Sequence, residues 1–191
     1  MKNILIVSAS PREGGNSDLL CDQFARGAAE AGHRVEKVRL AERRIGYCTG
    51  CCACQKLHRC VQEDDANELV EKMLSADAVV LATPVYFGSM NAQLKTLIDR
   101  CFSRWDDFIR FLGTEFWLIL AASEADRAAV EPALAGLRSF LRDGVVVAIE
   151  GGVICCTGAY EKGAVRNLPA YREAYEAGKS CLAADRKGDR K

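Results

Sequence analysis

Charge of one sign is missing from this chain: 26 Lys and Arg are matched by 26 Asp and Glu, for a formal net charge of zero. Without a global basic field, binding to nucleic acid or to a membrane surface through bulk charge is disfavoured. Long hydrophobic runs are missing too, and no apolar stretch approaches the length that spans a bilayer. No basic-then-apolar leader opens the sequence, and Met1 runs almost directly into a strand-like segment. These absences set the expectation of a cytoplasmic protein. Internal repeats and linker-like stretches are also lacking. The 191 residues are therefore expected to form a single domain, residues 1–191, with one full core. A composition 49% apolar and 27% charged is that of an ordinary globular protein and argues against disorder. Neither the dinucleotide pattern G-x-G-x-x-G nor the nucleoside-triphosphate pattern G-x-x-x-x-G-K-[ST] occurs.

What the chain does have is cysteine. Ten cysteines in a small secreted domain would suggest a disulfide framework, but the secretory signal and the small size are missing. Five of the ten, Cys48, Cys51, Cys52, Cys54 and Cys60, fall within thirteen residues, which reads as a site and not as a network of staples. Cys21 and Cys101 sit on apolar faces of expected helices and read as small core residues. The vicinal pair Cys155–Cys156 reads as packing, with a redox role as the alternative. Trp105 and Trp117 read as core or interface filling, and His33 and His58 as surface residues.

The order of elements alternates strand and helix. Lys2–Val7 is a continuous apolar run, as in a strand buried on both faces. The small-residue loop Ser8–Ser17 follows. Asn16 and Ser17 are suited to cap a helix carrying Leu20, Phe24, Ala28 and Ala31, which Gly32 ends. Arg34–Leu40 reads as a more polar strand near the sheet edge. After a cysteine-rich loop at 47–63, Asp64 or Asp65 caps a helix with Leu69, Val70, Met73 and Leu74. Ala78–Thr83 is a third strand, Pro84–Ser89 a loop, and Met90, Leu94, Leu97, Ile98 and Cys101 an apolar helical stripe. Strands are expected at Phe116–Ala122 and Val145–Ile149, with helices at Val130–Leu141 and Pro169–Leu182 and a frayed tail at Lys187–Lys191. This alternation implies right-handed crossovers and an α/β, doubly wound parallel sheet with helices on both faces. Five strands suit the flavodoxin-like order 2-1-3-4-5.

In such a sheet a ligand sits at the carboxyl ends of the strands, where the connections reverse direction. Here that switch point is flanked by Ser8–Ser17 and Pro84–Met90. The first loop offers amide N–H groups and a helix N-terminus, which favour a phosphate without any lysine. Ser8, Ser10, Asn16 and Ser17 add polar side chains, while Gly14 and Gly15 allow close approach. An ordinary capped connection has the same composition. In the second loop, Tyr86 and Phe87 suit a planar heteroaromatic ring or, alternatively, the covering of the core.

Taken together, Ser8-Ala9-Ser10-Pro11-Arg12 with Asn16-Ser17, Asp64-Asp65, Thr83-Pro84-Val85-Tyr86-Phe87-Gly88-Ser89-Met90, Ala92-Gln93-Leu94-Lys95 and Ile98-Asp99-Arg100 resemble the NADPH-dependent FMN reductase family. More narrowly they resemble its iron-sulfur flavoproteins, and Gly158–Gly163 extends the likeness. The resemblance implies FMN phosphate at Ser8, Ser10, Arg12, Asn16 and Ser17, with the isoalloxazine against Pro84, Val85, Tyr86, Phe87, Gly88 and Ser89. It also implies NAD(P)H as co-substrate and a homodimer or homotetramer. One departure stands out: Ala122-Ser123-Glu124-Ala125-Asp126-Arg127 replaces a glycine-rich loop, and two carboxylates facing a flavin would oppose its anionic reduced form.

Cys48-x2-Cys51-x2-Cys54-x5-Cys60 is spaced so that a loop can wrap four thiolates around a cubane, leaving Cys52 spare. In the iron-sulfur flavoproteins that it resembles, this motif ligates a [4Fe-4S] cluster. Zinc is an alternative ligand, although four-cysteine zinc sites commonly use two separated C-x2-C knuckles. A Cys51–Cys54 thiol switch and empty thiols are further alternatives. The functions that follow are a flavin oxidoreductase, an electron carrier working with a ferredoxin-like partner and having no substrate of its own, and a thiol or zinc protein.

Overall fold

The computed structural model describes residues 1–109, 113–145 and 148–182. Six strands are present: β1 (Asn3–Ser8), β2 (Arg34–Arg39), β3 (Ala78–Tyr86), β4 (Ser89–Met90), β5 (Glu115–Ala121) and β6 (Ile149–Cys156). The helices are α1 (Asn16–Glu30), α2 (Cys54–Leu57), α3 (Ala66–Ser75), α4 (Ala92–Cys101), α5 (Trp105–Phe108), α6 (Glu131–Ser139) and α7 (Pro169–Ser180). Five strands are parallel in the order β2-β1-β3-β5-β6, the doubly wound order expected. The strand count is six because β4 folds back antiparallel on the end of β3.

Alternate residues of each strand feed opposite cores, which is why the strands read as unbroken apolar runs. Leu5, Val7, Val79, Leu81, Leu118 and Leu120 pack under α3, α4 and α6. Ile4, Ile6, Val80, Ala82 and Ile119 pack under α1 and α7. Those last two helices cross at glycines. A Cβ on Gly27 would lie 2.1 Å from the Tyr175 carbonyl oxygen, and one on Gly178 would lie 2.1 Å from that of Phe24. β2 exposes Arg34 and Glu36 and half-buries Lys37 and Arg39, as suits the sheet edge.

Several boundaries differ from expectation. The last strand is Ile149–Cys156, not Val145–Ile149. Its glycines face Trp117: a Cβ on Gly152 would lie 2.5 Å from Trp117 Cζ3, and one on Gly151 would lie 2.5 Å from Nε1. A tertiary contact thus places a strand over residues of low strand propensity. The helix expected at 130–141 ends at Ser139 and continues as a π turn over Phe140–Gly144. The last helix stops at Ser180, and residues 187–191 lie outside the described part. Among the described residues, no helix is long and apolar enough to cross a membrane.

Candidate functional site

The carboxyl ends of β1 and β3 form the switch point, and backbone groups build most of it. α1 begins at Asn16 without a side-chain cap, so neither Asn16 nor Ser17 fills the capping role expected of it. The N–H groups of its first turn have no intrahelical acceptors and carry the positive end of the helix dipole. Ser17 is 1% exposed, yet its hydroxyl has no hydrogen-bond partner. A buried unpartnered hydroxyl at an uncapped helix start fits a ligand acceptor. Gly15 is required there, since a Cβ would lie 2.5 Å from Ser10 Oγ and 3.0 Å from the Arg12 carbonyl oxygen. Ser10 Oγ donates to that carbonyl (2.8 Å), shaping the turn, while the Arg12 side chain is exposed.

Ser8 and Asn16 are placed at the loop but are engaged inward. Ser8 Oγ donates to Asp18 Oδ1 at 2.7 Å. Burial opposes ionisation of Asp18, but hydrogen bonds from Lys37, Ser8 and Gly14 outweigh it and hold the carboxyl below its usual range. Asn16 Nδ2 donates to the carbonyls of Ala159 (2.8 Å) and Glu161 (2.9 Å), and its Oδ1 accepts from the N–H groups of Gly163 (3.0 Å) and Val165 (3.3 Å). This one side chain docks a segment almost 150 residues away in sequence. The docked segment carries Lys162 over the loop: a Cβ on Gly14 would lie 3.4 Å from Lys162 Cε and 3.9 Å from Nζ. Sequence reading missed this lysine because nothing local joins it to Ser8–Ser17.

The second expected loop is a hairpin. β3 continues through Pro84 and Val85 to Tyr86, turns over Phe87 and Gly88, and returns at Ser89. Both turn residues have positive φ, 50° at Phe87 and 70° at Gly88, as a two-residue primed turn demands. Glycine adopts this freely, whereas a bulky side chain pays about 1–2 kcal/mol. The Phe87 ring is nonetheless fully exposed, with Tyr86 partly so. Asn91 ties this hairpin to the first loop. Its Nδ2 donates to the Ala9 carbonyl (2.6 Å), and its Oδ1 accepts from Leu94 N–H (3.3 Å) to cap α4. After β5, Glu124 and Asp126 are exposed and turn to their own loop, bonding Ser123 Oγ and the Ala128 N–H.

The cysteine loop lies against the other end of α4. Cys48, Cys51, Cys52, Cys54 and Cys60 line one shallow, solvent-open pocket, closed by Arg100, Phe102 and Ser103. Asn91 and Arg100 are separated by about 14 Å along the axis at 1.5 Å per residue. The pocket is thus displaced from the switch point within one chain. Cys60 is the best fixed of the five. Asn67 of α3 donates from Nδ2 to its carbonyl (3.2 Å) and accepts its N–H at Oδ1 (3.2 Å). Cys48, Cys51 and Cys52 are exposed, and Cys52 adopts φ 55°. The N–H of Ala53 and the Thr49 hydroxyl lower the Cys51 thiol pKa, whereas burial, then nearby Cys60, Cys51 and Cys52, raise that of Cys54. All ten cysteines carry free thiols. Among the described residues, no three His, Cys, Asp or Glu side chains are gathered into a metal-holding geometry. The donor set itself, soft sulfur around one pocket, suits an iron-sulfur group or zinc. Cys21 and Cys101 are buried, and burial pushes each thiol up to about 12, as core residues should be.

The sequence matches the model of the NADPH-dependent FMN reductase family over residues 2–153. An iron-sulfur flavoprotein of Archaeoglobus fulgidus is 43% identical over 94 residues, covering 49% of this chain and 43% of that protein. One from Methanocaldococcus jannaschii is 40% identical over 97 residues, covering 51% and 50%. The chain spans about half the length of the curated relatives it matches. Among solved structures, the NAD(P)H:quinone oxidoreductase from Methanothermobacter marburgensis superimposes with a TM-score of 0.73 at 20% identity, covering 94% of this chain and 96% of that one. An FMN-dependent NADH-azoreductase from Bacillus anthracis, in complex with FMN, gives 0.68 at 17% identity, covering 95% and 100%. At such identities the likeness establishes the flavodoxin-like fold. With well over half its length matched by the family model, the chain belongs to the NADPH-dependent FMN reductase family.

Proposed function

We propose that residues 1–191 act as one FMN-binding domain of a flavin oxidoreductase, working in the cytoplasm as a homodimer or homotetramer. The observation that carries this reading is the buried, unpartnered Ser17 hydroxyl at the uncapped start of α1, which follows a loop with Arg12 exposed and Lys162 packed near Gly14. A phosphate dianion matches that set: helix N–H groups, a hydroxyl and two cations. The Ser10 turn and Gly15 shape the cradle, and Ser8 and Asn16 hold its frame through their inward hydrogen bonds. Pro84, Val85, Tyr86, Phe87, Gly88 and Ser89 flank the ring, with Phe87 held open to receive it. FMN, when bound, supplies hydride and single-electron chemistry, so no side-chain acid or nucleophile is required. NAD(P)H is the proposed hydride donor, and a ferredoxin-like protein or a small acceptor receives the electrons. An azo or quinone substrate class is supported by the names of the structural neighbours.

Cys48, Cys51, Cys54 and Cys60 would hold a [4Fe-4S] cluster, which supplies one-electron capacity; this is supported by the spacing, by the shared pocket and by the names of the relatives. Anaerobic purification followed by an absorbance spectrum and assays for FMN, iron, acid-labile sulfide and zinc tests both parts. Bound FMN with about four irons and four sulfides per chain is the expected result for that cluster. Stoichiometric zinc without sulfide overturns the cluster, and absence of any FMN affinity overturns the flavin reading.

A further inference from the structure

Arg100 is among the largest side chains fully buried in the protein, and it lies in the wall of the cysteine pocket. Its side chain is 1% exposed and that of its partner Asp64 is 9% exposed. Nη1 and Nη2 donate to the two carboxylate oxygens at 2.7 and 2.9 Å, and Nη1 also donates to the Gly46 carbonyl at 2.7 Å. Asp64 in turn accepts the N–H groups of Gly46 (2.8 Å) and Ala66 (3.1 Å). The pair thereby ties the start and the end of the cysteine loop to α4. One nitrogen is left without any partner: Arg100 Nε is buried and makes no hydrogen bond.

An unfilled N–H in the interior costs about 1–3 kcal/mol, and a loop clamp alone gives no reason for it. Cys60 lines the same pocket as Arg100. Asn67 fixes the Cys60 backbone from the opposite side. The acid that lines the pocket, Asp99, is exposed and paired with Lys95 at 2.5 Å. The pocket wall thus combines one buried cationic donor with the thiols. Sulfur ligands bind metals as thiolates, so a filled pocket carries excess negative charge close to that donor.

We propose that Arg100 is a positioning residue of the sulfur site: its free Nε–H is kept for the Cys60 sulfur, or for a sulfide of the group Cys60 holds. Its charge, partly offset by Asp64, offsets the negative charge of the ligands. This inference rests on the reading of Cys48, Cys51, Cys54 and Cys60 as ligands. Hydrogen bonds to cluster sulfur and net charge nearby both set the reduction potential, which gives the test its sign. Removing the donor or its charge lowers the potential; removing the counter-charge raises it.

The test uses the full chain, wild type and the variants Arg100→Gln, Arg100→Lys and Asp64→Asn. Each is loaded anaerobically with iron and sulfide or, separately, with cobalt(II). Metal content, metal loss to a chelator, reduction potential and the thermal midpoint of the metal-free chain are then measured. Arg100→Gln is expected to lose metal roughly tenfold faster than wild type, with a lower potential. Arg100→Lys, which keeps the charge and loses Nε–H, falls between the two. Asp64→Asn shifts the potential upward. If Arg100→Gln does not fold, Arg100→Lys and Asp64→Asn decide by the opposite signs of their shifts; if only cobalt(II) loads, the chelator rates of the Arg100 variants decide. A purely structural clamp moves the thermal midpoint alone or shifts every variant in the same direction, and either outcome overturns the inference. Wild-type chain that takes up neither iron with sulfide nor cobalt(II) overturns the ligand reading and this inference together. Wild type that loads, with variants that retain metal and titrate as it does, overturns this inference alone.

Discussion

The two ends of α4 carry two differently built regions. At its N-terminus, the switch point is made of strand ends, a helix start and a two-residue turn, and polar side chains such as Ser8, Asn16, Asp18 and Asn91 are consumed in holding backbone in place. At its C-terminus, the cysteine loop has little regular structure of its own, exposes most of its thiols, and is held by a buried ion pair together with bonds from Asn67, Gln62 and Asp65. A site that recognises its ligand through backbone N–H groups must be rigid before the ligand arrives. A site made of sulfur side chains needs only its ends fixed, because ligation itself can order the rest.

The sharpest way to break this contrast is at the buried ion pair. Asp64→Ala leaves a buried guanidinium without its partner and is expected to cost about 3–5 kcal/mol, measured by urea unfolding. A loss below about 1 kcal/mol would mean that the loop is held elsewhere. Asn16→Ala strips four hydrogen bonds from the docked segment and is expected to cost roughly 2–3 kcal/mol. FMN affinity should fall with it if that segment delivers Lys162.

One carboxylate in each region should set the acid limit of stability. Asp18 and Asp64 both titrate below the ordinary value of 3.8. Their stabilisation is therefore complete above that value and is lost as pH falls from it through the lowered folded values. Thermal midpoints should be flat from neutrality to about pH 5 and drop below pH 4. Asp18→Asn should reduce that slope, and an unchanged slope would remove Asp18 from the account.

Phe87→Gly relieves a positive φ and is expected to stabilise the free chain by about 1 kcal/mol while weakening FMN binding. A gain in both would show that the ring pays for nothing. The smallest effect is expected at Lys162, where Ala should weaken FMN roughly three- to tenfold, about 1 kcal/mol, and leave riboflavin unchanged. Equal loss for both ligands would put Lys162 away from the phosphate.

Much of this was legible in the residues themselves. The buried runs Ile4–Val7 and Ala78–Ala82, the stripe of Leu94 and Leu97, and the cysteine spacing all carry their information over a few neighbours, so periodicity and turn chemistry suffice. Arg100 left a trace as well: it stands three residues after Leu97 on the buried side of α4, a charge where the stripe calls for an apolar residue. The last strand was misread because Val145 to Ile149 has the better strand composition, whereas Gly151 and Gly152 are needed only because Trp117 packs over them.

The sequence by itself determined the alternation of elements, the edge of the sheet where the connections reverse, and the loop that gathers the cysteines. Only the tertiary structure decided which polar residues are free to bind. It spent Ser8 and Asn16 on the frame, left Ser17 without a partner, carried Lys162 to Gly14 and closed Arg100 onto Asp64. Hydrogen bonding is a property of pairs, and the partners of these residues lie as far as 149 positions away, beyond the reach of any local pattern.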